Sequence, residues 1–130
     1  MNVLGIDIGG SGVKGAIVDI ESGKLLSEKI RFPTPNKSTP KKIFDGIKSN
    51  ILDELKWDGN VGCGFPGVVK KNKIYSAANI EKKWIGLNLK KKFRKKFNLR
   101  CKAINDADAA GLSEIALNTN VVKRGTVLII

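Results

Sequence analysis

The chain contains no histidine, and only two cysteines, one tyrosine and four prolines in 130 residues. Without histidine, Ser-His and Cys-His nucleophile pairs and imidazole metal centres are excluded, so any general base has to be a carboxylate. Cys63 and Cys101 each stand in an apolar, strand-like run with no partner at metal-ligand spacing, which reads as two buried, reduced, structural thiols. No apolar run reaches the roughly 18 residues of a membrane helix. Met1-Asn2-Val3 leads straight into a strand, without the basic and apolar regions of a signal peptide. The expectation is a cytoplasmic protein with no membrane partner. Acidic side chains are scarce too, since 24 Lys+Arg face 12 Asp+Glu for a net charge of +12. That surplus favours anionic partners. Twenty of the cations are Lys, however, and base-specific readers depend on the arginine fork, so no specific nucleic acid is expected.

What is present is enough for one folded domain: 42% of residues are hydrophobic, with a mean hydropathy of -0.14. The organising stretch is Val3 to Asp19, two β-branched, alternating runs around Gly9-Gly10-Ser11-Gly12. This reads as a β-hairpin whose turn holds a phosphate. Glycines allow positive φ and close approach of backbone N–H groups to an anion, while Ser11 and Lys14 add a hydroxyl and a cation. Asp7, at the end of the first strand, is placed to hold a hydrated Mg²⁺. Gly10 to Gly15 also spells the dinucleotide fingerprint G-x-G-x-x-G, but that motif has to open a helix, and Ala16-Ile17-Val18-Asp19 reads as strand. A Walker A loop fails because Ala16 stands where Lys is required.

Along the chain, Lys24 to Phe32 reads as a third antiparallel strand. Thr39-Pro40 starts a helix whose apolar face is Ile43, Phe44, Ile47, Ile51, Leu52 and Leu55. Val61 to Phe65 is a buried strand, and Pro66-Gly67 turns out of it into a small hairpin around Lys70 to Lys73. Leu87 to Asn98 is a second helix with Asn88 as its cap and a Leu89, Phe93, Phe97 stripe; Lys90 to Lys96 fill its other face. Cys101 to Asn105 is another strand. Asp106 opens a third helix running through Leu117, and Thr126 to Ile130 begins a further strand. The order is α/β, with three leading antiparallel strands and then helix crossovers.

That order resembles the ribonuclease H-like domain of the sugar kinase, actin and heat-shock ATPase superfamily. Within it, the chain is similar to the ROK family. The stretches that carry the likeness are Gly5 to Gly15, Gly64-Phe65-Pro66-Gly67, Ala78-Asn79-Ile80 with Trp84-Ile85-Gly86, and Asn105 to Leu112. The resemblance implies glucose phosphorylation at the 6-hydroxyl, with polyphosphate or ATP as donor and Mg²⁺ as cofactor. Asp106 would be the general base, Asn79 and Asn105 would bind sugar hydroxyls, and Pro66-Gly67 would form the wall beneath the sugar. Gly9, Gly10, Ser11, Gly12 and Lys14 would hold phosphate. Trp84 reads more readily as core than as a sugar-stacking ring, and Asp108 as a first-turn carboxylate.

Residue by residue, plainer roles compete: Asp106 as an N-cap, Asn79 and Asn105 as turn caps, the lysine face as solvated surface. The resemblance also implies that residues 1–124 are one lobe and 125–130 the first strand of an absent second lobe, so that this piece alone turns over little. The Thr126 to Ile130 edge invites pairing with another chain, a homodimer included. The alternative is a non-catalytic sugar- or nucleotide-binding module; the repressor version is disfavoured because only two residues precede the first strand.

Overall fold

A computed structural model describes residues 1–106 of the chain. Its centre is a five-stranded sheet in the order β3-β2-β1-β4-β7. The strands are β1 (Asn2–Ile8), β2 (Gly12–Asp19), β3 (Ile30–Pro33), β4 (Val61–Phe65) and β7 (Cys101–Asn105). A two-stranded hairpin, β5 (Val69–Lys70) and β6 (Lys73–Ile74), stands apart from it. β1, β2 and β3 are antiparallel neighbours, whereas β4 and β7 add in parallel after helical crossovers. The α/β class and the leading antiparallel meander are as the sequence indicates.

Helix α1 (Pro40–Gly46) begins where Thr39 accepts the Lys42 N–H at 3.4 Å and Pro40 takes the first turn. It runs into a π-helical segment (Ile47–Leu52) and a final turn, α2 (Asp53–Leu55), closed by Lys56 in the left-handed region at φ 51°. The wider π turn was not expected; it buries Ile47, Ile51 and Leu52 together. Ile51 abuts Gly15, where a Cβ would lie 2.9 Å from two of its carbons. A 3₁₀ turn (Lys82–Trp84) precedes α3 (Leu89–Phe97), whose cap Asn88 accepts the Lys91 N–H at 3.0 Å.

Between α1, α3 and the sheet lies an aromatic cluster: Phe44 packs against Trp84, Phe93 and Phe97, and Phe65 against Trp84, with centroids 5.1 to 5.8 Å apart. Trp84 is fully buried and donates its Nε1–H to the Ser38 carbonyl at 2.7 Å, so it is a core residue. Cys63 and Cys101 are buried and free, as expected. A hydrogen bond with Cys101 and then burial push the Cys63 thiol well above its ordinary value, which keeps it protonated and inert.

Three local expectations are corrected. The third strand is not Lys24 to Phe32 but only Ile30–Pro33. Leu25 makes a lone bridge to Val18, and Ser27 Oγ takes the Ile17 N–H at 2.8 Å, so residues between Leu25 and Ile30 bulge out of the ladder. The small hairpin turns at Lys71-Asn72, both at positive φ, so Lys70 and Lys73 are strand rather than loop. The second helix is Leu89–Phe97, because Asn88 stays extended as its cap at φ -99° and ψ 111° and Asn98 closes it in the left-handed region at φ 55°. Asp106 has helical backbone; the rest of the expected third helix, Asp108, the strand Thr126 to Ile130 and the boundary at 124 lie outside the described residues. Among the described residues no helix is long and apolar enough to cross a membrane.

Candidate active site

The site is assembled at one end of the sheet, where β1, β4 and β7 all terminate. β1 and β2 pair down to Ile8 and Val13, leaving Gly9-Gly10-Ser11 as the connection into Gly12, the first residue of β2. Gly9 N–H closes it onto the Gly12 carbonyl at 3.0 Å. Thr34, just past β3, donates its hydroxyl to the Gly9 carbonyl at 2.6 Å and its N–H to the Ser11 carbonyl at 3.3 Å. Three loop carbonyls are thereby engaged inside the protein, which removes negative dipole ends from the tip. A dinucleotide site is ruled out here because the glycines lead into β2 and not into a helix.

The glycines serve a different purpose from the one read in the sequence. None of Gly9, Gly10 and Gly12 has a left-handed φ, so backbone freedom is not the requirement. Space is. A Cβ on Gly10 would lie 2.7 Å from the Asn79 carbonyl oxygen and one on Gly9 2.8 Å from the Gly12 carbonyl oxygen, both backbone that cannot swing away, whereas one on Gly12 would meet the movable guanidinium of exposed Arg31.

The opposite wall grows from β4 and β7. Their register sets Phe65 beside Asn105, which brings Asn105 and Asp106 alongside Pro66-Gly67. Asn105 Nδ2 donates to the Gly67 carbonyl at 2.5 Å. The Ala78 N–H binds the Pro66 carbonyl at 3.0 Å, and Asn79 adopts φ 56°, a conformation that asparagine tolerates. Ser38 holds the segment beyond Asn79 by accepting the Glu81 N–H at 2.9 Å and the Trp84 indole.

Between these walls is a cleft of about 710 Å³ lined by Gly10, Ser11, Pro66, Gly67, Asn79, Asn105 and Asp106, all singled out in the sequence. Val68, Ser76 and Ala78 also line it; Ala78 belongs to a stretch singled out in the sequence but was given no role, Val68 and Ser76 were missed, and Ser76 is placed by its hydroxyl accepting the Val68 N–H at 2.9 Å. Asp7, Gly9, Gly12 and Lys14 do not line it. Gly12 is buried under Arg31, and Lys14 Nζ pairs with Asp7 Oδ2 at 3.6 Å. Arg31 and Thr34 also escaped notice. Register places Asp7, Lys14 and Arg31 in one cross-strand row, which only a correct β3 boundary reveals.

The Asp7 side chain is 15% exposed. Burial pushes its carboxyl above the ordinary value; Lys14 opposes that rise and the charge of Asp106 adds to it. Asp7 therefore feels the charge of Asp106, which a bound cation would relieve. No group of three or more acidic or cysteine side chains is positioned to cage a metal among the described residues. The donor set suits an ion that keeps most of its own water.

A meander followed by parallel strands, with a glycine hairpin facing a strand-end carboxylate across a cleft, is the ribonuclease H-like, actin-like fold of sugar kinases. The chain belongs to the ROK family, whose sequence pattern matches residues 3–130. It is 36% identical over 128 residues to polyphosphate glucokinase of Mycobacterium tuberculosis, covering 98% of this chain and 48% of that protein. The Mycobacterium leprae polyphosphate glucokinase is 38% identical over 112 residues, covering 85% of this chain and 34% of that one. Among solved structures, the inorganic polyphosphate/ATP-glucomannokinase of Arthrobacter sp. superposes with a TM-score of 0.82 at 37% identity, covering 89% of this chain and 48% of that one. The ROK glucokinase of Streptomyces griseus, in complex with glucose and AMPPNP, gives 0.78 at 28% identity, covering 93% and 38%. The chain thus spans less than half the length of the relatives it matches.

Proposed function

We propose that this chain is the amino-terminal lobe of a cytoplasmic glucokinase that transfers a phosphoryl group from polyphosphate or ATP to the 6-hydroxyl of glucose. The observation that carries this reading is that Asp106 and the Gly10-Ser11 tip line the same cleft. In it, the Asp106 carboxylate accepts the hydroxyl proton as the sugar oxygen attacks phosphorus. Asn79 and Asn105 hold neighbouring hydroxyls, and Pro66-Gly67 supports the ring. The N–H groups of Gly10 and Ser11, with the Ser11 hydroxyl, hold the donor phosphates. Asp7 would bind Mg²⁺ through water, and that ion would supply neutralising charge to the phosphoryl oxygens. The names of the relatives support both the hexose and the choice of donors.

A second lobe would close over this wall and exclude water. The test is glucose 6-phosphate formation, measured with polyphosphate and with ATP, for this chain alone and for a polypeptide extended to the length of its relatives. The extended protein should be active and the short one nearly inactive. Asp106→Asn should cost about 10²- to 10⁴-fold in kcat with unchanged folding. An active Asp106→Asn enzyme would overturn the assignment.

A further inference from the structure

A second groove, of about 440 Å³, lies where the Lys71-Asn72 turn meets the start of α3 and the approach to β7. Five cations line it: Lys71, Lys90, Lys91, Arg94 and Arg100. Among the described residues no carboxylate and no aromatic ring lines it, and none of those that do also lines the cleft. Its two asparagines are committed to the frame. Asn72 Oδ1 accepts the Ala103 N–H at 2.8 Å, and Asn88 Oδ1 caps α3.

Cations stand at both ends of α3, the unfavourable end included. The first turn of α3 carries no acidic residue and presents Lys90 and Lys91 to the positive pole of the helix dipole. Lys90 and Lys91 also lie four and three positions before Arg94, the spacings at which like charges repel on a helix face. The backbone adds a donor: Leu89 N–H is taken by the Asn72 carbonyl and Lys91 N–H by the cap, while Lys90 N–H has no acceptor among the described residues. A bound anion would reverse each of these penalties at once.

We propose that this groove is a second binding site for inorganic polyphosphate, a handhold for the donor chain outside the cleft. The proposal rests on polyphosphate being a donor, as argued above. Nucleic acid is the less suited polyanion because single strands need aromatic platforms for their bases, and the groove has none among the described residues.

The test is a titration of the 130-residue chain with long-chain inorganic polyphosphate, read by calorimetry at several salt concentrations. The groove triple Lys90→Glu, Lys91→Glu, Arg100→Glu is compared with a control triple of equal charge change, Lys24→Glu, Lys29→Glu, Lys37→Glu, all at exposed positions. The groove triple should weaken binding about tenfold more than the control and flatten the log–log salt slope by about 0.7 per lost contact. A charge-matched oligothymidylate should bind more weakly than polyphosphate. A milder pair, Lys90→Gln with Arg100→Gln, should show the same preference if the triple folds poorly. Equal losses in groove and control variants, or oligothymidylate bound as tightly as polyphosphate, would refute the site. The readout is separate from turnover: groove-dependent binding, with no glucose phosphorylation by the polypeptide extended to the length of its relatives, sinks the kinase reading and leaves the groove, and turnover by that extended protein with indiscriminate binding does the reverse.

Discussion

Gly67→Ala is the sharpest probe of how the cleft is built. A methyl group there would overlap the Ser76 carbonyl oxygen and lie 2.8 Å from the Ser76 carbonyl carbon, well inside ordinary contact. The obstacle is backbone, so no rotamer change relieves it. Ser76 is fixed on either side, since Tyr75 N–H binds the Val68 carbonyl at 2.8 Å and Ala78 N–H binds the Pro66 carbonyl at 3.0 Å. The Gly67 carbonyl is itself held by Asn105. Overpacking costs about 1–3 kcal/mol, and losing one of these hydrogen bonds adds about 1 kcal/mol. The sum, about 2–4 kcal/mol, corresponds in urea to a midpoint lower by about 1–2 M at an m-value near 2 kcal/mol/M. Gly86→Ala is the comparison: at φ +91° with nothing within 4 Å, it suffers backbone strain alone, about 1–2 kcal/mol. If equilibrium unfolding shows Gly67→Ala to be the milder of the two, the packing of this wall has been misread.

Three more consequences are open to measurement. Because Asp7 has a raised carboxyl value, the folded state holds its proton more tightly than the unfolded chain, and stability falls as pH climbs from 3.8 through the raised value. Asp7→Asn should therefore raise Tm at pH 7, with the gain vanishing below pH 3.8, while impairing phosphoryl transfer in the extended enzyme; a lower Tm at pH 7 would mean that the Lys14 pair outweighs burial. Asn72→Ala should cost about 2 kcal/mol, since it strands the Ala103 N–H and strains φ 68°; Asn72→Gly, which relieves the strain alone, should recover part of it in the same denaturation series. Trp84→Phe should lower stability by about 2–3 kcal/mol, because the buried Ser38 carbonyl loses its donor and the ring shrinks between Phe44 and Phe65.

Short-range chemistry made much of the molecule legible from sequence. Thr39-Pro40 and Asn88 announce helix starts because a cap bonds an N–H two or three residues on. β4 and β7 fall where apolar runs end at turn residues, with Pro66-Gly67 following β4 and Asn105-Asp106 at the end of β7, so the residues of the cleft could be named before their arrangement was known. Segments remote in sequence decided the remainder. Gly10 is required by the Asn79 backbone, a contact that no local propensity encodes. Lys14 turned to Asp7 and not to the cleft because strand register made them partners, and the bulge after Leu25 carried Arg31 into the same row. The basic face of α3 became a groove only when the Lys71-Asn72 turn closed against it. Propensity acts over one turn of chain, whereas steric exclusion and charge act over ångströms, and only folding converts the first distance into the second.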